Sequence, residues 1–413
     1  IMSSKSLFGS FKYCLKSLLI LGLFPWKFDG DKQTLRALDL KIHMTIVFAN
    51  YVIWSLPYDI HYFPFVVKEF SGNMPNSEIL LFLFIIRRVN SFVFYVTLPI
   101  AHHITCMSLR QKFCHFYETN QKRLNLYNIT WTINKLRFWI VVCILLVSFL
   151  VLLYCDANSS LAIVLNETEV VAFPIVFSVI KEIQCLLIMA IIVGIILEIS
   201  SALFSWIKTL KGKMENAQIE ELVNQTLHEC MELIQACEEL KTLFSGYLKW
   251  MVLVGLIVIT YSLLNLCLIL VTFFMGNSTN DITTTGYNSD TDDIYVMGMV
   301  SFLAIGMIYS FGIFINSSTI KNGLKQLQLI LKKTYFPRLM KTKWKGKEVP
   351  ASFVAQQIID DIERFQGLIS IGSSSVMIWF FTFFLFFLQF GIESPSEEHP
   401  NTSNVTCCCN FTQ

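Results

Sequence analysis

Apolar residues gather along this chain into seven long runs, at about 41–60, 78–104, 136–155, 170–199, 249–275, 294–316 and 370–391. A bilayer core takes about 20 apolar helical residues to cross, so each run predicts a membrane-spanning helix. The longer runs predict tilt or extension into the cytosol rather than further spans. Between the runs the pattern becomes one-sided. Within 217–247, Ile219, Leu222, Val223, Thr226, Leu227, Cys230, Leu233, Ile234, Cys237, Leu240 and Phe244 recur every three or four positions. Glu220, Glu221, Glu232, Glu238, Glu239 and Lys241 fall on the opposite face. A second amphipathic helix is predicted from Thr319 through Leu331, broken by the stretch 335–350 with Pro337 and Pro350. A third, 352–367, carries Val354, Ile358, Ile359, Ile362 and Phe365 on one side. Near the start, the apolar residues from Leu18 to Phe24 are hemmed in by Lys12, Lys16, Pro25 and Lys27, with no small-residue cleavage site after them. That predicts a helix lying on the cytosolic leaflet rather than a signal peptide.

Charge then orients the spans. The segments 1–41, 105–137, 200–250 and 317–368 hold 7, 6, 5 and 10 Lys and Arg residues, whereas the alternate segments hold only Lys68. Cytosolic loops concentrate Lys and Arg, so the N-terminus is placed inside and the C-terminal tail outside. Glycosylation triplets agree. Asn158, Asn166, Asn277, Asn401, Asn404 and Asn410 each open an Asn-x-Ser/Thr triplet in a segment assigned to the exterior. Asn128, Asn224 and Asn316 also match, but lie on the cytosolic side and are read as chance.

The expectation is an all-α membrane protein with seven transmembrane helices, N-terminus cytosolic and C-terminus extracellular. Its organisation runs as a cytosolic segment with an interfacial helix (1–40), spans one to four forming a ligand-pocket bundle (41–199) and cytosolic amphipathic helices (200–248). Spans five and six (249–316), cytosolic anchor helices (317–369), a final pore-lining span (370–391) and an extracellular glycosylated tail (392–413) follow. Composition fits: 54% of residues are hydrophobic and 15% charged, against about 25% charged in soluble domains. A net charge of +2 gives no reason to expect nucleic acid as a partner. Metal clusters, phosphate loops and nucleophile motifs are absent from the sequence, so no enzyme, metal site or cofactor is expected. The orientation is opposite to that of G-protein-coupled receptors, whose span signatures are also missing.

The last span ends Phe381-Thr382-Phe383-Phe384-Leu385-Phe386-Phe387-Leu388-Gln389-Phe390. This resembles the seventh-span signature of insect gustatory receptors: Thr, Tyr, five hydrophobic residues, then Gln-Phe. Thr382, Gln389 and Phe390 match, and Phe383 replaces the Tyr. The resemblance implies a tetrameric, ligand-gated, non-selective cation channel of chemosensory plasma membranes, with seventh helices lining a central pore. It also implies a pocket for a small molecule in the outer half of each subunit, and an intersubunit anchor built from cytosolic helices. On the residues themselves, Thr382 and Gln389 are seven apart and share a helix face about 10 Å apart along the axis, with Leu385 and Phe386 between them. Four such helices would set an apolar constriction between polar rings, a gate that closes by dewetting. Thr382 and Gln389 gluing this helix to a neighbour is the competing reading. Beyond the helix, Glu393, Glu397 and Glu398 either ring the outer mouth or form a solvated acidic tail.

Ionisable groups inside a bilayer are costly and mark functional candidates. Arg88, Asn90, Tyr95, Lys181, Glu182, Gln184, Tyr261 and Asn265 fall at similar depths in spans two, four and five, a wall suited to a polar or anionic ligand. The alternative is a structural salt bridge between Arg87 or Arg88 and Glu182. His102 and His103 end the second span and are placed at the membrane interface. Of the cysteines, Cys155 and Cys407 to Cys409 fall outside, where bridges persist; their pairing stays open. Three functions follow in order: a gustatory-receptor-like channel opened by a tastant, an odorant receptor subunit needing a co-receptor, and a non-channel seven-helix receptor. Its partners would be a small-molecule ligand, membrane lipid and copies of itself or related receptors in a homo- or heterotetramer.

Overall fold

The computed structural model describes residues 7–8, 12–29, 32–57, 60, 93–131, 147, 150–151, 172–216, 220–276, 289–335, 351–365 and 367–368. Helix α1 (Lys12–Ile20) leads into a hairpin of β1 (Trp26–Asp29) and β2 (Thr34–Ala37), paired antiparallel with Trp26 opposite Ala37. This hairpin departs from the all-helical expectation. Trp26, Phe28 and Leu35 alternate with Lys27 and Arg36, so one face is apolar and buried while the other is charged and exposed. The strands are too short to stand alone. They persist because the apolar face lies on α3 (Leu98–Leu126), with the Trp26 ring 4.8 Å from Phe113 and its indole N–H donating to the Arg110 carbonyl at 2.7 Å.

Helix α2 (Leu40–Asn50) starts at Asp39, whose carboxylate accepts from the Lys41 and Ile42 N–H groups at 2.8 and 3.4 Å. Such a cap satisfies donors that the first turn leaves free. The helix runs on through a π-helical turn, Tyr51–Ser55, and a second such turn, Val93–Thr97, precedes α3.

Three long helices follow: α4 (Ala172–Asn216), α5 (Glu220–Gly276) and α6 (Ser289–Ile330). At 1.5 Å per residue the 57-residue α5 is about 85 Å long, far beyond a hydrocarbon core of about 30 Å. Its excess stands outside the bilayer. The amphipathic stretch 217–247 and the span 249–275 are therefore one rod from Glu220 onward, and α4 and α6 likewise run unbroken past 199–200 and 316–317. Among the described residues, three helical stretches are long and apolar enough to cross a membrane: Ile183–Glu215, Asn224–Leu264 and Val296–Lys333. The first span maps onto α2 and its π-helical turn. Most of 136–155, most of 78–104 and all of 370–391 lie outside the described residues.

Within the bilayer zone α5 and α6 cross at Gly255 and Gly306. A Cβ on Gly306 would stand 3.1 Å from the Gly255 carbonyl and 2.8 Å from Ile259, so only glycine lets the backbones meet this closely. Outside it, α3, α4, α5 and α6 form a bundle whose core includes Phe113, Trp206, Leu233, Leu240 and Leu327. Helix α7 (Ala351–Arg364) closes the bundle. By contact the chain divides into Ile1–Ser370 and Ile371–Gln413, and the second unit lies wholly outside the described residues.

Candidate functional site

The expected pocket residues are only partly in view. Gln184 on α4 is half-buried and accepts from the Ser55 hydroxyl at 3.4 Å, joining the first span to the fourth. Tyr261 is buried on α5. Tyr95 belongs to the second π-helical turn, Lys181 and Glu182 to α4 and Asn265 to α5, all with side chains outside the described set. Arg88 and Asn90, the pore residues Thr382, Leu385, Phe386, Gln389 and Phe390, and the six glycosylation asparagines also lie outside it.

The described side chains are densest in the bundle of α3, α4, α5 and α6. A chain segment from the N-terminus is threaded into it. The Leu7 N–H donates to Gln121 on α3 at 2.8 Å, and the Phe8 N–H to Glu198 on α4 at 2.7 Å. The Phe8 ring stacks on Tyr117, 5.7 Å away. Glu198 is fully buried, and its Oε1 accepts the Phe8 bond while its Oε2 meets no hydrogen-bond partner among the described residues. A buried carboxyl needs such donors to be tolerated.

About two turns along α3 from Arg110 toward the bilayer, the picture at His102 corrects the interfacial expectation. His102 is buried, with Nε2 2.8 Å from the Leu23 carbonyl and Nδ1 2.7 Å from the Tyr247 hydroxyl. A carbonyl only accepts, so Nε2 carries the proton and Nδ1 accepts from Tyr247. The neutral ring thus ties the N-terminal segment, α3 and α5 together. His102, Cys106, Phe24, Phe113, Ile195 and Phe244 line part of a cavity of about 20 Å³. That is room for roughly one water, far below the size of a small-molecule site. The cavity is a packing gap. Among the described residues no group of His, Cys, Asp and Glu is arranged to hold a metal ion.

Charges knit the helices further from the membrane. Arg123 on α3, nearly buried, meets Glu232 at 3.2 Å and Glu239 at 3.1 Å on α5. Two of the glutamates expected on a solvated face are thus its partners. Glu229, also buried, accepts from the Trp206 indole at 3.0 Å and from Lys213 at 2.7 Å, linking α4 to α5. Burial, then the carboxylates of Glu232 and Glu229, push the nearby Tyr127 phenol up to about 12.

Helix α7 is the last described element before the run at 370–391. Val354, Ile358, Ile359 and Ile362 are buried within the chain against α5 and α6. A subunit contact through this helix would therefore use its outer face, where Phe353 is 66% exposed. Glu363 is gripped by Lys332 at 2.6 Å and Gln328 at 2.8 Å, and the Lys241 ammonium sits 5.4 Å from the centre of the Phe365 ring. The chain then turns at Gly367, whose φ of 99° strains any residue with a side chain. The Leu368 N–H donates to Ser317 on α6 at 2.9 Å. Sequence reasoning missed these ties because their partners are remote along the chain.

Long spans continuing into one shared bundle define a multi-pass helical membrane protein. The model of the 7tm Chemosensory receptor family matches residues 11–348, and the chain belongs to that family. Among solved structures it is similar to the insect olfactory receptor OR5 from Machilis hrabei, with a TM-score of 0.54 and 8% identity. That match covers 94% of this chain and 98% of the other, a likeness of fold. No curated protein matches the chain.

Proposed function

We propose that this chemosensory receptor is a ligand-gated, non-selective cation channel of the gustatory type, assembled as a tetramer in the plasma membrane. The observation that carries the reading is how α7 and the residues just after it are tied to α6, shortly before the run 370–391 begins in the sequence. Glu363 on α7 is lashed to Gln328 on α6 and to Lys332 just beyond it, Leu368 is tied to Ser317 on α6, and Gly367, in backbone that only glycine adopts freely, precedes in the sequence the segment bearing Thr382, Leu385, Phe386 and Gln389. A shift of the long rods under a bound ligand would pull on that segment. Gln184 and Tyr261 are the described members of the ligand wall, and Arg88, Asn90, Tyr95, Lys181, Glu182 and Asn265 complete it.

The test is calcium influx and whole-cell current from cells expressing this chain alone, screened with sugars, amino acids and bitter compounds. Ligand-evoked cation current is expected, and Gln389→Glu should change its calcium-to-sodium permeability ratio. Current that appears only with a co-expressed receptor would make the chain an odorant-type subunit. A response without current would make it a non-channel receptor.

A further inference from the structure

We infer that the exposed face of the β1–β2 hairpin and the foot of α2 form a docking surface for anionic lipid head groups of the inner leaflet. The inference rests on the reading that places the N-terminal segment in the cytosol.

The register puts Lys27 directly opposite Arg36. Both are exposed, since Trp26, Phe28 and Leu35 commit the other face to the bundle. Like charges directly opposite across an antiparallel pair are destabilising, so an isolated hairpin gains nothing from this pairing. Lys16, Lys32 and Lys41 add exposed cations around it. Among the described residues none of the five has an acidic side chain within ion-pair distance. Of the acids beside the hairpin, Asp29 accepts from the Lys32 N–H and Asp39 from those of Lys41 and Ile42.

Position says what the missing anion is. Ala37 ends β2, and α2 begins three residues later at Leu40, about 10 Å of extended chain. From there the exposed residues turn apolar: Leu40, Ile42, Met44 and Phe48. Helix α1 repeats the change, with Ile20 exposed beside α2, where Asn50 donates to its carbonyl at 3.3 Å. Exposed apolar side chains adjoining uncompensated cations trace the boundary between acyl chains and head groups. An acidic protein segment would neutralise the cations and leave that apolar rim in water. A lipid with a net negative head group serves both.

The experiment is native mass spectrometry of the purified full chain from mixed micelles, comparing phosphatidylinositol 4,5-bisphosphate with phosphatidylcholine. Micelles expose both ends of the protein, so the binding result does not depend on membrane orientation. The wild type is expected to retain the anionic lipid at least tenfold in preference. Lys27→Gln with Arg36→Gln should weaken retention about 25-fold, at about fivefold per unit charge. Arg36→Glu should weaken it equally while hydrogen exchange over 26–37 slows, because Lys27 then faces an opposite charge. A purely structural role for the cations predicts the reverse pairing of effects. Equal retention of the two lipids, unchanged retention in Arg36→Glu, or loss accompanied by faster exchange over 26–37 would overturn the inference. So would soluble inositol phosphate binding as tightly as the lipid. If lipid is retained but the N-terminus proves external, the topology fails and the binding surface stands.

Discussion

The two ends of α5 are held by opposite means. In the bilayer zone it meets α6 through missing side chains, at Gly255 and Gly306; outside, it meets α3 and α4 through charged ones, at Glu232, Glu239 and Glu229. Lipid offers no hydrophobic gain for helix association, so close backbone approach and dispersion must serve. In the bundle the apolar faces already exclude water, and the buried charges fix which helices neighbour one another. One rod thus carries a tight, steric contact at one end and a specific, ionic one at the other.

The contrast can be broken at either end. Gly255→Leu should have the largest effect, since the side chain would drive into Ser310 and the Gly306 backbone. Overpacking of this kind costs about 1–3 kcal/mol or more, and the steric seam has no slack. Surface expression and thermal stability in detergent should fall sharply, with Gly306→Leu doing the same. Arg123→Met should cost about 2–3 kcal/mol, mainly because Glu232 and Glu239 would face each other without a cation. Adding Glu232→Gln should recover part of that loss. A full loss in the double variant would mean that the arginine acts through packing alone.

Smaller effects sharpen the picture at α7. Gly367→Ala forces a side chain into left-handed backbone, about 1–2 kcal/mol of strain at one hinge. Expression should change little while the ligand concentration for half-maximal current shifts. The weakest tie is Lys332 to Glu363, both solvent-facing. Hydrogen bonding and then the charge of Lys332 hold the Glu363 carboxyl below its ordinary value. A depressed carboxyl contributes only above the ordinary carboxylate range and loses its contribution as pH falls through the lowered value. Lys332→Gln should therefore show its small effect at neutral pH, lose it as pH falls through the lowered value, and lose it in high salt.

Much of this was legible in the sequence. The 3.6-residue rhythm of 217–247 placed Leu227, Cys230, Leu233, Cys237 and Leu240 inside, and all are buried. The stripe on 352–367 was equally plain, although which surface it covers was not. Lengthwise continuity was hidden, because a change from amphipathic to fully apolar at 248–249 marks a change of solvent and not of helix. The hairpin did leave a trace, the alternation of Trp26-Lys27-Phe28 and Leu35-Arg36-Ala37, but four-residue strands carry too little pattern without α3 beneath them. His102 and Arg123 were illegible in principle. Their partners lie 79 and 145 residues away for the histidine and 116 away for the Arg123–Glu239 contact, so burial comes only from the assembled bundle.

The channel proposal needs the run 370–391 to cross outward from a cytosolic bundle. An epitope fused after Gln413 measures that crossing without a known ligand. Antibody binding to intact, unpermeabilised cells is the expected result, with an N-terminal epitope stained only after permeabilisation. The opposite staining pattern would contradict the orientation and, with it, the pore.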